Sequence, residues 1–229
     1  MPQLQEVGNV VKNSLVGRIR GTGEVLQAVT ETVSNSLVVV LRGTGAVGGA
    51  LTGAVSDVAC GAIHGAAEVG GDLGAAAKGA VIGTLKGTRD VNGAALEAIA
   101  SSVENLVRTT AELGGDAGGA ARQATEGALL GANDIGVNAL DAVASAAAAA
   151  VRGASRVGSD VARAAKSAVE GAIGGAKELG VDTGEVAVAA AAGAIRAAGD
   201  IGGAAVQEIG RAVTGVIAGV PVSPSKPGP

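Results

Sequence analysis

Arg20-Gly21-Thr22, Arg42-Gly43-Thr44, His64-Gly65-Ala66 and Lys86-Gly87-Thr88 stand 22 residues apart, and the reading of the whole chain turns on that interval. The phase continues through Arg108-Thr109, Leu130-Gly131, Arg152-Gly153, Gly174-Gly175 and Arg196-Ala197 without an insertion or deletion. A fixed period of this length marks one supersecondary unit stacked or strung many times. The chain divides into a partial N-terminal repeat or cap at 1–19, nine full units at 20–217, and a Pro-rich tail at 218–229. That tail reads as a stop followed by an extended cap or linker, because its prolines cannot continue a helix.

The columns of the unit give its secondary structure. Numbered from the basic residue, position six is always aliphatic, as in Val25, Val47, Val157 and Ile201. Position twenty-two is equally strict, as in Leu41, Ile63, Ile173 and Ile217. Positions ten, fourteen and eighteen are mostly Val, Leu, Ile or Ala. Such columns advance by about 3.7 residues, the spacing of one helix face and not of a strand. Position five is mostly acidic (Glu24, Glu68, Asp90, Glu112, Asp134, Glu178, Asp200), and position nine often holds Asp72, Asp116, Asp160 or Asp182. Positions one and five are i,i+4 neighbours of opposite sign, but with the base first each pair adds at most a few tenths of a kcal/mol (about 0.2–0.5). The position-nine aspartates read as a solvated or salt-bridged face rather than a cation ladder. No heptad is sustained, and the near-3.67 period suits a straight or slightly right-handed supercoiled helix.

Glycine forms a third set of columns, at positions two, seven, eight and twenty. Positions twenty and two make small-xxx-small pairs: Gly61 with Gly65, Gly83 with Gly87, Gly127 with Gly131, and Gly171 with Gly175. On a helix each pair lies on one side and admits a neighbouring backbone closely. An interior glycine costs about 1 kcal/mol against alanine, so 40 of them need an offsetting close contact. The expected fold is all-α: long Gly/Ala-rich amphipathic helices, closely packed as antiparallel rods or between copies. An α-solenoid with a short helical hairpin per unit, or a β-solenoid with one coil per unit, would keep the same register. Breaks are expected at Gly48-Gly49, Gly70-Gly71, Gly114-Gly115 and Gly202-Gly203.

Composition narrows the function. The chain has no Phe, Tyr or Trp, and a net charge of −4 with both signs interspersed. Nothing here provides a basic patch or a stacking platform, so nucleic acid is not an expected partner. Cys60 is the single cysteine, which excludes an internal disulfide and a multi-cysteine metal site. The segment Met1 to Val7 lacks the basic and apolar regions of a signal peptide, and a cytoplasmic location is the default expectation. The most apolar window, Gly43 to Ile63, is Gly-rich and contains Asp57, so it does not read as a membrane span.

Motifs that could carry chemistry are few. Gly43-Thr44-Gly45-Ala46-Val47-Gly48 fits the dinucleotide fingerprint, but it arises from the glycine columns and does not recur in the other units. His64 occupies the basic column and reads as a surface residue. Cys60 precedes it by four residues and would share its helix face, the spacing of a Cys–His nucleophile pair, though no neighbouring sequence supplies an oxyanion hole or pocket. No catalytic residue, cofactor site or metal site is expected.

Segments such as Thr125-Glu126-Gly127-Ala128 and Val213-Thr214-Gly215-Val216, with the 22-residue period and the absence of aromatics, give the chain a pattern that resembles the amphipathic repeats of synucleins, perilipins and exchangeable apolipoproteins. Bacterial phasins and late-embryogenesis proteins share the style. The resemblance covers the chain in period, but the Lys-rich consensus of synucleins is absent. It implies a helix lying on a lipid droplet or vesicle.

Two functions follow. The first is a non-catalytic structural protein that self-assembles into a filament, sheet or shell, with the four glycine pairs as packing surfaces and the partner a further copy. The second is an amphipathic coat on a lipid droplet, granule or membrane surface, with column residues such as Val157 and Ile173 in the acyl boundary. Few basic residues, negative net charge and missing interfacial aromatics favour the first.

Overall fold

The computed structural model describes residues 2–18, 24–44, 49–89 and 95–224, and they are overwhelmingly helical. The helices are α1 (Pro2–Arg18), α2 (Val25–Thr44), α3 (Gly49–Glu68), α4 (Leu73–Thr88), α5 (Ala95–Glu112), α6 (Ala117–Ile135), α7 (Ala139–Arg156), α8 (Val161–Leu179), α9 (Thr183–Ile201) and α10 (Gly203–Ala212). A hairpin of β1 (Gly215–Ile217) and β2 (Val220–Val222) follows. The all-α expectation holds, in one particular form: each unit contributes one helix, and two units make a helical hairpin. The chain is thus an α-solenoid with a 44-residue structural repeat.

A three-residue signal sets each turn. Gly70-Gly71-Asp72, Gly114-Gly115-Asp116, Gly136-Val137-Asn138, Gly158-Ser159-Asp160 and Gly180-Val181-Asp182 each join two helices. The first residue is a glycine in the left-handed region, with φ between 66° and 78°. Paired backbone bonds close the preceding helix there, for example Gly71 N–H to Ala66 C=O at 2.8 Å and Gly70 N–H to Ala67 C=O at 3.0 Å. This is the Schellman closure, for which glycine lacks the Cβ penalty. The third residue then caps the next helix: the Asp72 carboxylate accepts from Gly74 N–H at 2.8 Å and Ala75 N–H at 3.1 Å. Asn138 and Asp182 do the same for α7 and α9. Each cap is worth about 1 kcal/mol. The position-nine aspartates are therefore helix starts. The expected breaks at residues 70–71 and 114–115 are present, and so is that at Gly202-Gly203, where α9 ends at Ile201 and α10 begins at Gly203. Residue 48 lies outside the described residues, as do Arg20-Gly21-Thr22 and most of the Gly43–Gly48 fingerprint.

Turns this short make consecutive helices antiparallel, so helices two apart run parallel in the same layer. Odd-numbered helices form one layer and even-numbered helices the other, and contacts are most extensive between next-but-one helices. Between the layers lies a thin aliphatic core that includes Leu15, Leu37, Ile63, Leu85, Leu106, Leu129 and Ile173. Alanine fills much of the rest. Within that core, the hydroxyls of Thr84, Ser102, Thr110 and Thr125 have no hydrogen-bond partner.

Within a layer, glycine sets the spacing. A Cβ on Gly127 of α6 would stand 2.7 Å from the Lys78 carbonyl oxygen of α4, and one on Gly83 would stand 2.6 Å from that of Thr30 in α2. Gly153 of α7 meets the Glu104 carbonyl in the same way, at 2.6 Å. Gly61, Gly171 and Gly193 lie tighter still, against the backbones of Gly8, Arg122 and Ala144.

At the C-terminus the tenth helix is short, and the hairpin takes the place of a further helix. Ala218 and Gly219 have φ of 49° and 85°, the two positive values of a two-residue hairpin turn. Ile217, Val220 and Val222 are buried, with β2 against α9 and β1 against α8.

Three substitutions test this packing. Gly127→Ala should lower the stability measured by urea unfolding by about 1–3 kcal/mol, despite the better helix propensity of alanine. Gly199→Ala, where nothing lies within 4 Å of the added carbon, should raise it by about 0.5–1 kcal/mol. Thr125→Val, which removes a buried hydroxyl with no partner, should raise stability by about 1 kcal/mol in the same assay.

Candidate functional site

The position-twenty and position-two glycines sit on the seams between helices of one layer. Gly61 and Gly65 seat α3 on α1, Gly83 and Gly87 seat α4 on α2, Gly127 and Gly131 seat α6 on α4, and Gly171 and Gly175 seat α8 on α6. Their partners are helices of the same chain. Gly79, Gly153 and Gly193 do the same work. The latter two occupy the same columns but have alanine at the paired position, so one glycine per seam suffices for close approach. Ile173 is buried between the layers. Val157 is the half-buried residue that ends α7.

Charged columns bridge the same seams. Lys78 of α4 reaches Glu126 of α6 at 3.0 Å and Glu178 of α8 at 3.3 Å. Lys86 meets Asp134 at 3.2 Å, and Glu104 of α5 binds both Arg152 at 3.3 Å and Arg156 at 2.6 Å on α7. Arg163 of α8 reaches the capping carboxylate of Asp116 at 3.1 Å. The i,i+4 geometry expected within a helix occurs at Arg108–Glu112, at 3.9 Å. The rest link helices two apart, except Lys78–Glu178, which spans from α4 to α8. The Lys78–Glu126 pair, with both side chains 14 % exposed, is the most sheltered. The others have at least one more exposed partner, and pairs open to solvent add about 0–1 kcal/mol each.

The cleft with the most varied chemistry lies between α1 and α3. It has a volume of about 420 Å³ and is lined by Asn9, Lys12, Asp57, Cys60 and His64 around the Gly8–Gly61 contact. Asp57, Cys60 and His64 rise along one face of α3. Seven residues of helix separate the carboxylate from the imidazole, about 10 Å of rise, so the three groups do not converge on one atom. The hydrogen bond that Cys60 makes goes away from His64, to the Thr109 hydroxyl of α5 at 3.2 Å. Lys12 is paired with Glu68 at 3.1 Å, and His64 is exposed. Among the described residues, no three His, Cys, Asp or Glu side chains gather as a metal site, and no helix is long and apolar enough to cross a membrane.

Desolvation by burial in this cleft raises the Asp57 carboxyl above its ordinary range. The folded state therefore disfavours the ionised form. That penalty is fully present above the raised folded value and disappears as pH falls through it towards the unfolded value of 3.8. Asp57→Asn should accordingly stabilise the protein at neutral pH. Its advantage over the parent in thermal unfolding should vanish as pH is lowered below the usual carboxylate range.

Compared with known proteins, the chain matches no family model, and no curated protein is similar to it.

Proposed function

We propose that this chain is a non-catalytic structural protein that self-assembles into a filament, sheet or shell. What supports the reading is that each column of the repeat has a constructional task. Aliphatic columns fill the space between layers, and position-seven glycine with position-nine Asp or Asn turns the chain. Position-twenty and position-two glycines set the helix spacing, and charged columns tie neighbouring helices together. The result is a rigid, regular body made by iteration. Its outer surface repeats every two helices, so a contact made once can be made again along the body.

Because the glycine faces are occupied within the chain, copies meet through the ends and outer faces of the solenoid. The alternative, a coat on a lipid droplet, granule or membrane, requires the aliphatic columns to face acyl chains. Those columns lie between the layers, so the layers would have to part before Ile173 and its equivalents could reach lipid. The assembly reading needs no such opening.

Electron microscopy of the purified chain in lipid-free buffer tests this directly. Regular particles, sheets or filaments are expected. A dispersed monomer that binds anionic vesicles, with loss of the stability conferred by inter-layer packing, would overturn the proposal in favour of the lipid coat.

A further inference from the structure

Every later helix of the odd layer sits on the one before it through the same stripe, positions thirteen, sixteen and twenty of the unit. In α3 these are Ala54, Asp57 and Gly61, with Gly61 against the Gly8 backbone of α1. In α5, Ser101 and Asn105 hydrogen bond Ser56 of α3 at 2.8 and 2.9 Å. In α7, Ser145 donates to the Leu96 carbonyl of α5 at 3.3 Å, and in α9 Gly193 lies on the Ala144 backbone of α7.

Helix α1 carries this stripe as Val10, Asn13 and Gly17. Helical geometry of about 100° per residue places it opposite Gly8, Lys12 and Leu15, which meet α3. Among the described residues nothing is seated on it. Val10 is 64 % exposed, Asn13 is exposed, and Gly17 has nothing within 4 Å of where a Cβ would stand. Val39 of α2, 71 % exposed, occupies position twenty and faces the same end of the stack. The opposite end is closed by α10 and the β-hairpin, which bury Ile217, Val220 and Val222.

We infer that the α1 stripe is a two-fold interface between two copies of this chain. A two-fold contact needs a self-complementary surface, in which residue i meets j and j meets i. The stripe has one: the protruding Val10 and the notch at Gly17 lie two helical turns apart on one line. When α1 packs antiparallel on α1 of a second copy, Val10 of each enters the open seat at Gly17 of the other. The axis then passes between Asn13 and Ser14, where the two exposed polar side chains meet their equivalents. Small residues at such a seam allow close approach. The contact extends the odd layer on the face of α1 opposite α3, and it closes after one addition because the far end offers no matching seat. This inference rests on the self-assembly reading and specifies its end contact. Any larger lattice is then built from such pairs through the outer faces.

Sedimentation equilibrium of the full chain, with circular dichroism to verify folding, tests it. At low concentration, before larger assemblies form, the parent should sediment as a dimer, at twice the chain's 21.5 kDa. Val10→Glu should yield a folded monomer, and so should Asn13→Lys, which opposes two ammonium groups near the axis. Val216→Glu, on the exposed face of strand β1 at the hairpin end, should remain dimeric. Assembly that survives both α1 substitutions would overturn the two-fold contact while leaving self-assembly intact. A parent that stays monomeric at all concentrations would overturn both.

Discussion

The approach of one helix backbone to another at glycine, between helices two apart in sequence, is the constraint on which this structure depends. The core contains no aromatic side chain and is rich in alanine, so the layers can bury little surface per residue. Close spacing compensates. Where Gly127 lies on the Lys78 carbonyl, or Gly171 on that of Arg122, there is no room for even a methyl group. The helix-propensity cost of each such glycine, about 1 kcal/mol, is offset by dispersion contacts along the whole seam. Position-seven glycine solves a different problem. It closes a helix in the left-handed region, and an Asp or Asn two residues later opens the next, so each of these turns is only three or four residues long. Short turns in constant register then force the alternation of layers.

Much of this is legible in the sequence. The 22-residue period, the aliphatic columns and their helical spacing specify an all-α repeat, and the small-xxx-small pairs mark faces of close approach. Less legible was how the units are cut. Gly-Gly steps flag the turns at residues 70–71 and 114–115, but Gly136-Val137-Asn138, Gly158-Ser159-Asp160 and Gly180-Val181-Asp182 lack a second glycine. The usable signal was the joint recurrence of glycine and a capping side chain two residues apart. Taken as separate columns, they read as helix breaks and a solvated or salt-bridged acidic face.

Partner identity was the other gap. A glycine face states that something approaches, not whether it belongs to the same chain. Parallel packing between helices two apart could not be read from pattern alone, since it depends on turn length. The same ambiguity hid the role of charge. Lys78 and Glu126 are 48 residues apart yet joined across a seam, whereas sequence spacing draws attention to i,i+4 pairs such as Arg108 and Glu112. In the α1–α3 cleft, the Cys60–His64 spacing was visible, but the engagement of Cys60 with Thr109 was not, because that contact spans 49 residues.

The most direct test is a disulfide across one seam. The hydroxyls of Ser56 in α3 and Ser101 in α5 lie 2.8 Å apart. In a chain carrying Cys60→Ser, the pair Ser56→Cys and Ser101→Cys should form an intramolecular disulfide under mild oxidation, since the side chains are within bridging reach. Rapid, concentration-independent closure within one chain is the result this account predicts. Cross-linking only between chains, or no bridge in a folded protein, would contradict it, because the helix faces would then meet in another molecule or not at all.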